Sequence, residues 1–129
     1  MRTSSPLGIL PLLIVTFRCV GAQTTGTCES PQFLDLRERG IISCVFHEEF
    51  YRVLWYNTTE YLNNVPILDF QNKIKTGVGY ESGEYDVYPN GSLIINRVSL
   101  QHDSFTVAYL HTKKDVPIFI HIQVVVVGK

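Results

Sequence analysis

Short apolar runs, separated by turn residues about every 8–12 positions, make up most of the chain after residue 22. Polar and apolar residues alternate within several of them, which predicts β-strands, because successive side chains of a strand point to opposite faces. No stretch shows a helical period, and only Leu100–Asp103 is expected to form one short turn. The pattern predicts an all-β sandwich with strands at Ile41–Phe46, Tyr51–Tyr56, Val65–Phe70, Tyr85–Tyr88, Ser92–Val98, Phe105–Leu110 and Val116–Val127.

The first 22 residues have a different pattern, which is typical of a secretory signal peptide. Arg2 supplies a positive charge, an apolar stretch follows from Leu7 to Val15, and Val20 and Ala22 precede a plausible cleavage before Gln23. The apolar stretch is too short to span a bilayer. We therefore predict a signal peptide at 1–22 and one domain at 23–129. The alternative is that 1–22 stays attached as a buried strand or an anchor.

Composition agrees with one globular domain in an oxidising compartment. The 129 residues carry a formal net charge of −1, which excludes a strongly basic nucleic-acid binder. Two cysteines, Cys28 and Cys44, remain after residue 22, and glycosylation sequons begin at Asn57 and Asn90. We expect a secreted, extracellular protein, or a cell-surface location if the chain belongs to a longer receptor. No apolar run in 23–129 is long enough for a membrane span.

Catalytic and metal-binding patterns are not found in the sequence. The four histidines, His47, His102, His111 and His121, fall on different predicted strands or loops without metal-ligand spacing. Neither the serines nor the cysteines form a nucleophile motif. We therefore expect no enzyme activity, no metal and no cofactor.

Cys44 in one predicted strand and Trp55 in the next reproduce the centre of the immunoglobulin sandwich. Ser92–Val98 followed by Asp103 resembles the E strand and the E–F corner of such domains. The interval from Trp55 to Leu93 leaves room for two extra strands, as in variable-type domains. Over residues 23–129 the chain thus resembles the V-set immunoglobulin superfamily. The resemblance implies a V-type β-sandwich with Greek-key connections and two antiparallel sheets.

The sequence departs from the family pattern on the strand that follows Asp103. Tyr109 stands where the family has its second cysteine, and Val107 where it has the corner tyrosine. The usual inter-sheet disulfide is therefore absent, and Lys73 or Lys75 is a candidate partner for Asp103. This loss is similar to that in the N-terminal domains of carcinoembryonic-antigen-like adhesion molecules and of the signalling lymphocyte activation family. The segment from Tyr88 to Ile95 resembles the N-terminal domain of carcinoembryonic-antigen-like adhesion molecules. Interleukin-1-receptor-like first domains are a less favoured alternative, because they usually lack the second extra strand.

The resemblance also implies which residues lie inside. Cys28 falls on the strand beside that of Cys44, so an intrachain Cys28–Cys44 disulfide is expected in place of the missing one. The alternative is that Cys44 remains a buried thiol while Cys28 pairs between chains. The expected core residues are Cys44, Trp55, Leu93, Ile95, Val107 and Tyr109.

Alternation along the strands then predicts a binding face on the GFCC′ sheet, which consists of the family's strands G, F, C and C′ and holds Trp55. The residues expected to point to solvent there are Leu54, Tyr56, Ala108, Leu110, Phe119 and His121. An apolar patch of this size is typical of an interface. The resemblance implies an extracellular binding module in cell adhesion or immune recognition. Its partner would be a protein or a second copy of the chain, not nucleic acid. The alternative is a soluble decoy or a structural domain.

Overall fold

A computed structural model describes residues 26–46, 50–57, 65–112 and 117–128, and the predicted signal peptide lies outside them. Within these residues strands dominate, with one short helix α1 (Val78–Glu81) and a 3-10 helix at Leu100–His102. The strands in chain order are β1 (Gly26–Cys28), β2 (Gln32–Asp35), β3 (Gly40–Ile42), β4 (Cys44–Phe46), β5 (Phe50–Asn57), β6 (Leu68–Gln71), β7 (Ile74–Thr76), β8 (Tyr85–Val87), β9 (Leu93–Ile95), β10 (Phe105–Thr112) and β11 (Ile118–Val127).

The strands form two layers. One layer is a six-stranded sheet in the order β2-β11-β10-β5-β6-β7, antiparallel except for the parallel pair β2–β11. The second layer contains the sheet β3-β9-β8 and the pair β1–β4. Strands β3 and β4 are separated only by Ser43, so the run predicted as one strand is interrupted there. With β6 and β7 added to the sheet that holds Trp55, this is the strand arrangement of a V-type immunoglobulin-like sandwich.

The Gln32 side chain supports the interruption at Ser43. Its Nε2 donates to the Ser43 carbonyl at 2.9 Å, and its Oε1 accepts from the Ser43 N–H at 2.8 Å. One side-chain amide therefore satisfies both backbone groups of Ser43, as a neighbouring strand would do.

The main core lies between the layers and is centred on Trp55, whose side chain is fully buried. Its indole Nε1 donates to the Gly91 carbonyl at 3.0 Å, which ties the core to the turn before β9. Gly91 has φ +93°, and a Cβ there would lie 2.6 Å from the Phe46 ring, so this position requires glycine. The expected core residues Cys44, Trp55, Leu93 and Ile95 all lie in this cluster.

A disulfide joins Cys28 to Cys44, as expected from the sequence. The two residues are direct partners in the antiparallel pair β1–β4. The bond therefore crosslinks two strands of one layer, whereas the immunoglobulin disulfide usually joins the two sheets. Packing, and not a covalent bond between the layers, holds the described parts of the two layers together.

Of the two lysines that were candidate partners for Asp103, Lys75 pairs with another carboxylate. Lys75 Nζ lies 2.9 Å from Asp86 Oδ1, so this ion pair links β7 of one layer to β8 of the other. Asp103 Oδ1 instead accepts a hydrogen bond from the Val126 N–H at 3.0 Å. The physical reason is proximity, because β7 and β8 are the edge strands that meet on one side of the sandwich.

Candidate functional site

The candidate site is the outer face of the six-stranded sheet. Residues paired across antiparallel strands share a face, and Leu54 pairs with Tyr109, which pairs with Phe119. Tyr56, Val107 and His121 form the next row in the same way. Both rows point away from the core that Trp55 occupies.

In strand β10 the inward-pointing and outward-pointing residues are the reverse of those predicted from the sequence. Ala108 pairs with Trp55, and both point into the main core, as does Leu110. Val107 and Tyr109 therefore lie on the outer face. Val107 is buried, as a core residue should be, but it packs in a second cluster and not beside Trp55, and Tyr109 is only partly buried against that cluster. The prediction of Ala108 and Leu110 as exposed binding residues is wrong, because both are buried in the main core. Because Tyr109 stands where the family has its second cysteine, the resemblance favoured the wrong orientation of this strand. The small Ala108 side chain leaves room for the Trp55 indole, whereas a tyrosine ring there would overfill the core.

The middle of the outer face is buried. Leu54, Tyr56 and Val107 are 6%, 4% and 2% exposed and form a second apolar cluster with Tyr109 packed against it. Leu54 and Tyr56 thus lie on the predicted face, but the prediction that they point to solvent is wrong. Their role in this structure is to pack the sheet.

Aromatic side chains lie at one end of this face, two of them exposed and two half-buried, in a row that we call the aromatic ladder: Tyr51, His111, Tyr109 and Phe119. Ring centroids are 5.8 Å apart for Tyr51–His111, 4.6 Å for His111–Tyr109 and 4.3 Å for Tyr109–Phe119. Phe119 and Tyr51 are 47% and 42% exposed, and His121 beside them is also exposed. The ladder thus exposes an aromatic ring at each of its two ends, with two half-buried rings between them.

A β-bulge brings Tyr51 to the ladder. His111 pairs with Arg52, whereas the next residue, Thr112, pairs with Phe50, so Tyr51 is the extra residue on β5. The bulge lets Phe50 pack against the main core while Tyr51 contacts His111 on the outer face. Tyr51 and His111 could not be predicted as members of this site, because a bulge leaves no mark in the residue pattern.

Charge on this face is concentrated beside the ladder. Arg52 makes two hydrogen bonds to Asp69, Nε–Oδ1 at 3.1 Å and Nη2–Oδ2 at 2.8 Å. The hydrogen bond to Asp69 raises the pKa of Arg52. Burial, and then the charge of Arg52, lower the pKa of His111, so its neutral form is favoured. The neutral form of His111 adds no charge to the ladder, and the cation at its border, Arg52, is paired with Asp69.

A serine–histidine–glutamate contact occurs elsewhere in the fold. His102 Nδ1 accepts the Ser99 N–H at 2.9 Å and lies 3.3 Å from Ser99 Oγ, and Nε2 lies 3.0 Å from Glu84 Oε2. Ser99 caps the 3-10 helix, and the His102 side chain completes the cap. Since the Nδ1 lone pair is already held by a backbone N–H, this arrangement holds the corner before β10 in place.

The two sequon asparagines lie at different places. Asn57 ends β5, is half-buried and pairs with Thr106, while Asn90 is exposed in the turn before β9. The remainder of the Asn57 sequon lies outside the described residues. Within the described ranges no group of three or more His, Cys, Asp or Glu residues could hold a metal ion. Nor does any described helix have the length and apolarity needed to cross a membrane.

Comparison with known proteins supports the fold. The chain is similar to the crystal structure of murine CEACAM1b, with a TM-score of 0.67 and 20% sequence identity. The match covers 80% of this chain and 54% of that chain. No family model and no curated protein matches the sequence. The strand order and this likeness define the class of the protein as an immunoglobulin-like β-sandwich.

Proposed function

We propose that this chain is an extracellular immunoglobulin-like binding module in cell adhesion or immune recognition, secreted or displayed at the cell surface. It binds a protein, or a second copy of itself, through the outer face of the six-stranded sheet, and it is not an enzyme. The observation that carries the proposal is the aromatic ladder, in which Phe119 and Tyr51 are both exposed. Aromatic residues are enriched at the centres of interfaces, whereas large exposed apolar patches are uncommon on monomers.

The fold adds a second line of support. The sequence resembles adhesion-molecule domains around Tyr88–Ile95, and the structure has the fold seen in murine CEACAM1b. Strand β7 is the second extra strand, which argues against the interleukin-1-receptor-like alternative. A soluble decoy or structural domain would have the same fold, so only binding data separate it from the proposal.

The test compares two single substitutions of exposed apolar residues. Purified secreted chain is assayed for self-association by sedimentation and, as a labelled multimer, for binding to a panel of cells. Phe119→Ala, on the ladder, is expected to weaken association by more than about 1 kcal/mol. Leu100→Ala, in the 3-10 helix, is the control and should bind as the parent does. Equal binding by both variants, or no binding by the parent, would favour the decoy or structural alternative.

A further inference from the structure

The sequon Asn90-Gly91-Ser92 is built into the fold at each of its residues. The Ser92 hydroxyl accepts a hydrogen bond from the Cys44 N–H at 3.0 Å and donates one to the Cys44 carbonyl at 3.3 Å. Asn90 Oδ1 accepts from the Ser92 N–H at 2.9 Å, and the Gly91 carbonyl accepts from Trp55 Nε1. Ser92 is only 3% exposed. The tripeptide thus joins the turn before β9 to both β4 and the core.

N-glycosylation requires two groups of a sequon, the asparagine carboxamide and the hydroxyl two residues later. In that reaction Nδ2 bonds to C1 of an oligosaccharide and loses a proton, while the lipid pyrophosphate carrier leaves with the electron pair of the broken bond. In the folded chain the Ser92 hydroxyl cannot take part, because it is buried and bonded to Cys44. The exposed Asn90 uses only Oδ1 in the turn. A glycan on Nδ2 is therefore compatible with the closed fold, although the closed fold does not allow its addition.

We infer that Asn90 is glycosylated only before β9 closes against β4, so that folding of this edge competes with modification. The inference rests on the proposal that the chain enters the secretory pathway. A chain that closes with an unmodified Asn90 stays unmodified. Because the disulfide to Cys28 holds β4 in place, breaking it keeps the sequon accessible for longer.

The experiment translates the full chain in the presence of endoplasmic-reticulum microsomes, which supply the transferase and the lipid-linked oligosaccharide. Glycopeptide mass spectrometry gives the modified fractions at Asn57 and Asn90 under oxidising conditions and with dithiothreitol. The fraction modified at Asn90 is expected to rise when the disulfide is reduced. In a chase after synthesis under oxidising conditions, any Asn90 that is still empty should remain empty.

A double variant, Cys28→Ser with Cys44→Ser, separates the disulfide from other effects of the reductant. Under oxidising conditions the fraction of chains glycosylated at Asn90 should be higher in this variant than in the parent. Adding dithiothreitol should not raise that fraction further. An Asn90 fraction that is the same in all conditions, with Asn57 modified, overturns the inference and leaves entry into the secretory pathway standing. If neither asparagine is modified, both the inference and the proposed secretion are wrong.

Discussion

At the scale of single residues, Trp55 is the side chain on which the two layers depend most. It is fully buried, and its indole N–H satisfies the Gly91 carbonyl. Trp55→Ala is expected to lower the free energy of unfolding by about 3–5 kcal/mol through the cavity it leaves. Trp55→Phe should lower the free energy of unfolding by less. It still leaves the Gly91 carbonyl without its hydrogen-bond donor, which alone costs about 1–3 kcal/mol. Urea unfolding of both variants checks this, and an unchanged midpoint for Trp55→Phe would contradict the role of the hydrogen bond.

His111 makes stability depend on pH. Its pKa is lowered from the ordinary histidine value of 6.5 by burial and then by the charge of Arg52, so the unfolded chain binds a proton more readily than the folded one. The stabilisation by neutral His111 is therefore complete above pH 6.5 and is lost as the pH falls through the folded pKa. Thermal melting from pH 7.5 to pH 5 is expected to show a smaller decrease for His111→Gln than for the parent. Identical pH profiles would contradict the assignment.

Tyr56 and Phe119 lie on the same face, but the structure assigns them different roles. Tyr56 is 4% exposed, and Tyr56→Ala should destabilise the domain by about 2–5 kcal/mol. Phe119 is 47% exposed and packs against Tyr109 with its ring tilted, so Phe119→Ala should lower the free energy of unfolding by no more than about 1 kcal/mol. Paired thermal melts measure the difference. If both variants melt alike, the division of this face into a buried middle and an exposed ladder is wrong.

At the scale of elements, strand β10 provides the sharpest test of which side chains point into the core. Ala108 pairs with Trp55 inside the core, so Ala108→Leu should overfill the site and cost about 1–3 kcal/mol. Tyr109→Phe, on the outer face, keeps the ring and should have little effect. Urea unfolding measures the free energy of unfolding of the two variants. If Ala108→Leu leaves it unchanged, the structure's orientation of β10 is wrong and the one inferred from the family pattern is right.

The same strand shows why sequence alone could not decide its orientation. Both of its faces are apolar, since Ala108 and Leu110 contribute to the main core and Val107 to the second cluster. Where polar and apolar residues do not alternate, a shift of one residue exchanges the two faces without any trace in the pattern. Tyr51 was missed for a related reason, because the bulge that turns it outward is set by pairing with β10.

At the scale of the whole molecule, the layers are held by packing while the disulfide braces one layer. The bond joins residues 16 apart, and closing a loop of that size contributes about 3 kcal/mol in the chain-entropy model. Reduction is therefore expected to lower the free energy of unfolding by about that amount and leave a folded sandwich. Near-ultraviolet circular dichroism and urea unfolding with and without reductant measure both effects. Loss of the Trp55 environment on reduction would contradict the account.

The architecture could be predicted because Cys44, Trp55 and the strand spacing mark the sandwich strongly. Cys28 could be paired with Cys44 from their number and placement. The short strands β2 and β7 cannot be located from the residue pattern, since three or four residues carry too little periodicity, although the interval after Trp55 leaves room for β7. The aromatic ladder depends on a bulge and on the orientation of β10, and both are set by contacts between strands distant in sequence.

The central claim is that the outer face of the six-stranded sheet binds the partner. The most direct measurement is hydroxyl-radical footprinting of the chain, free and in the complex it forms with itself or with a cell-surface protein. The account predicts that oxidation of Phe119 and Tyr51 falls on binding, while Leu100 and Val45, which are exposed elsewhere, react as before. Protection of Leu100 or Val45 with Phe119 and Tyr51 unchanged would contradict it.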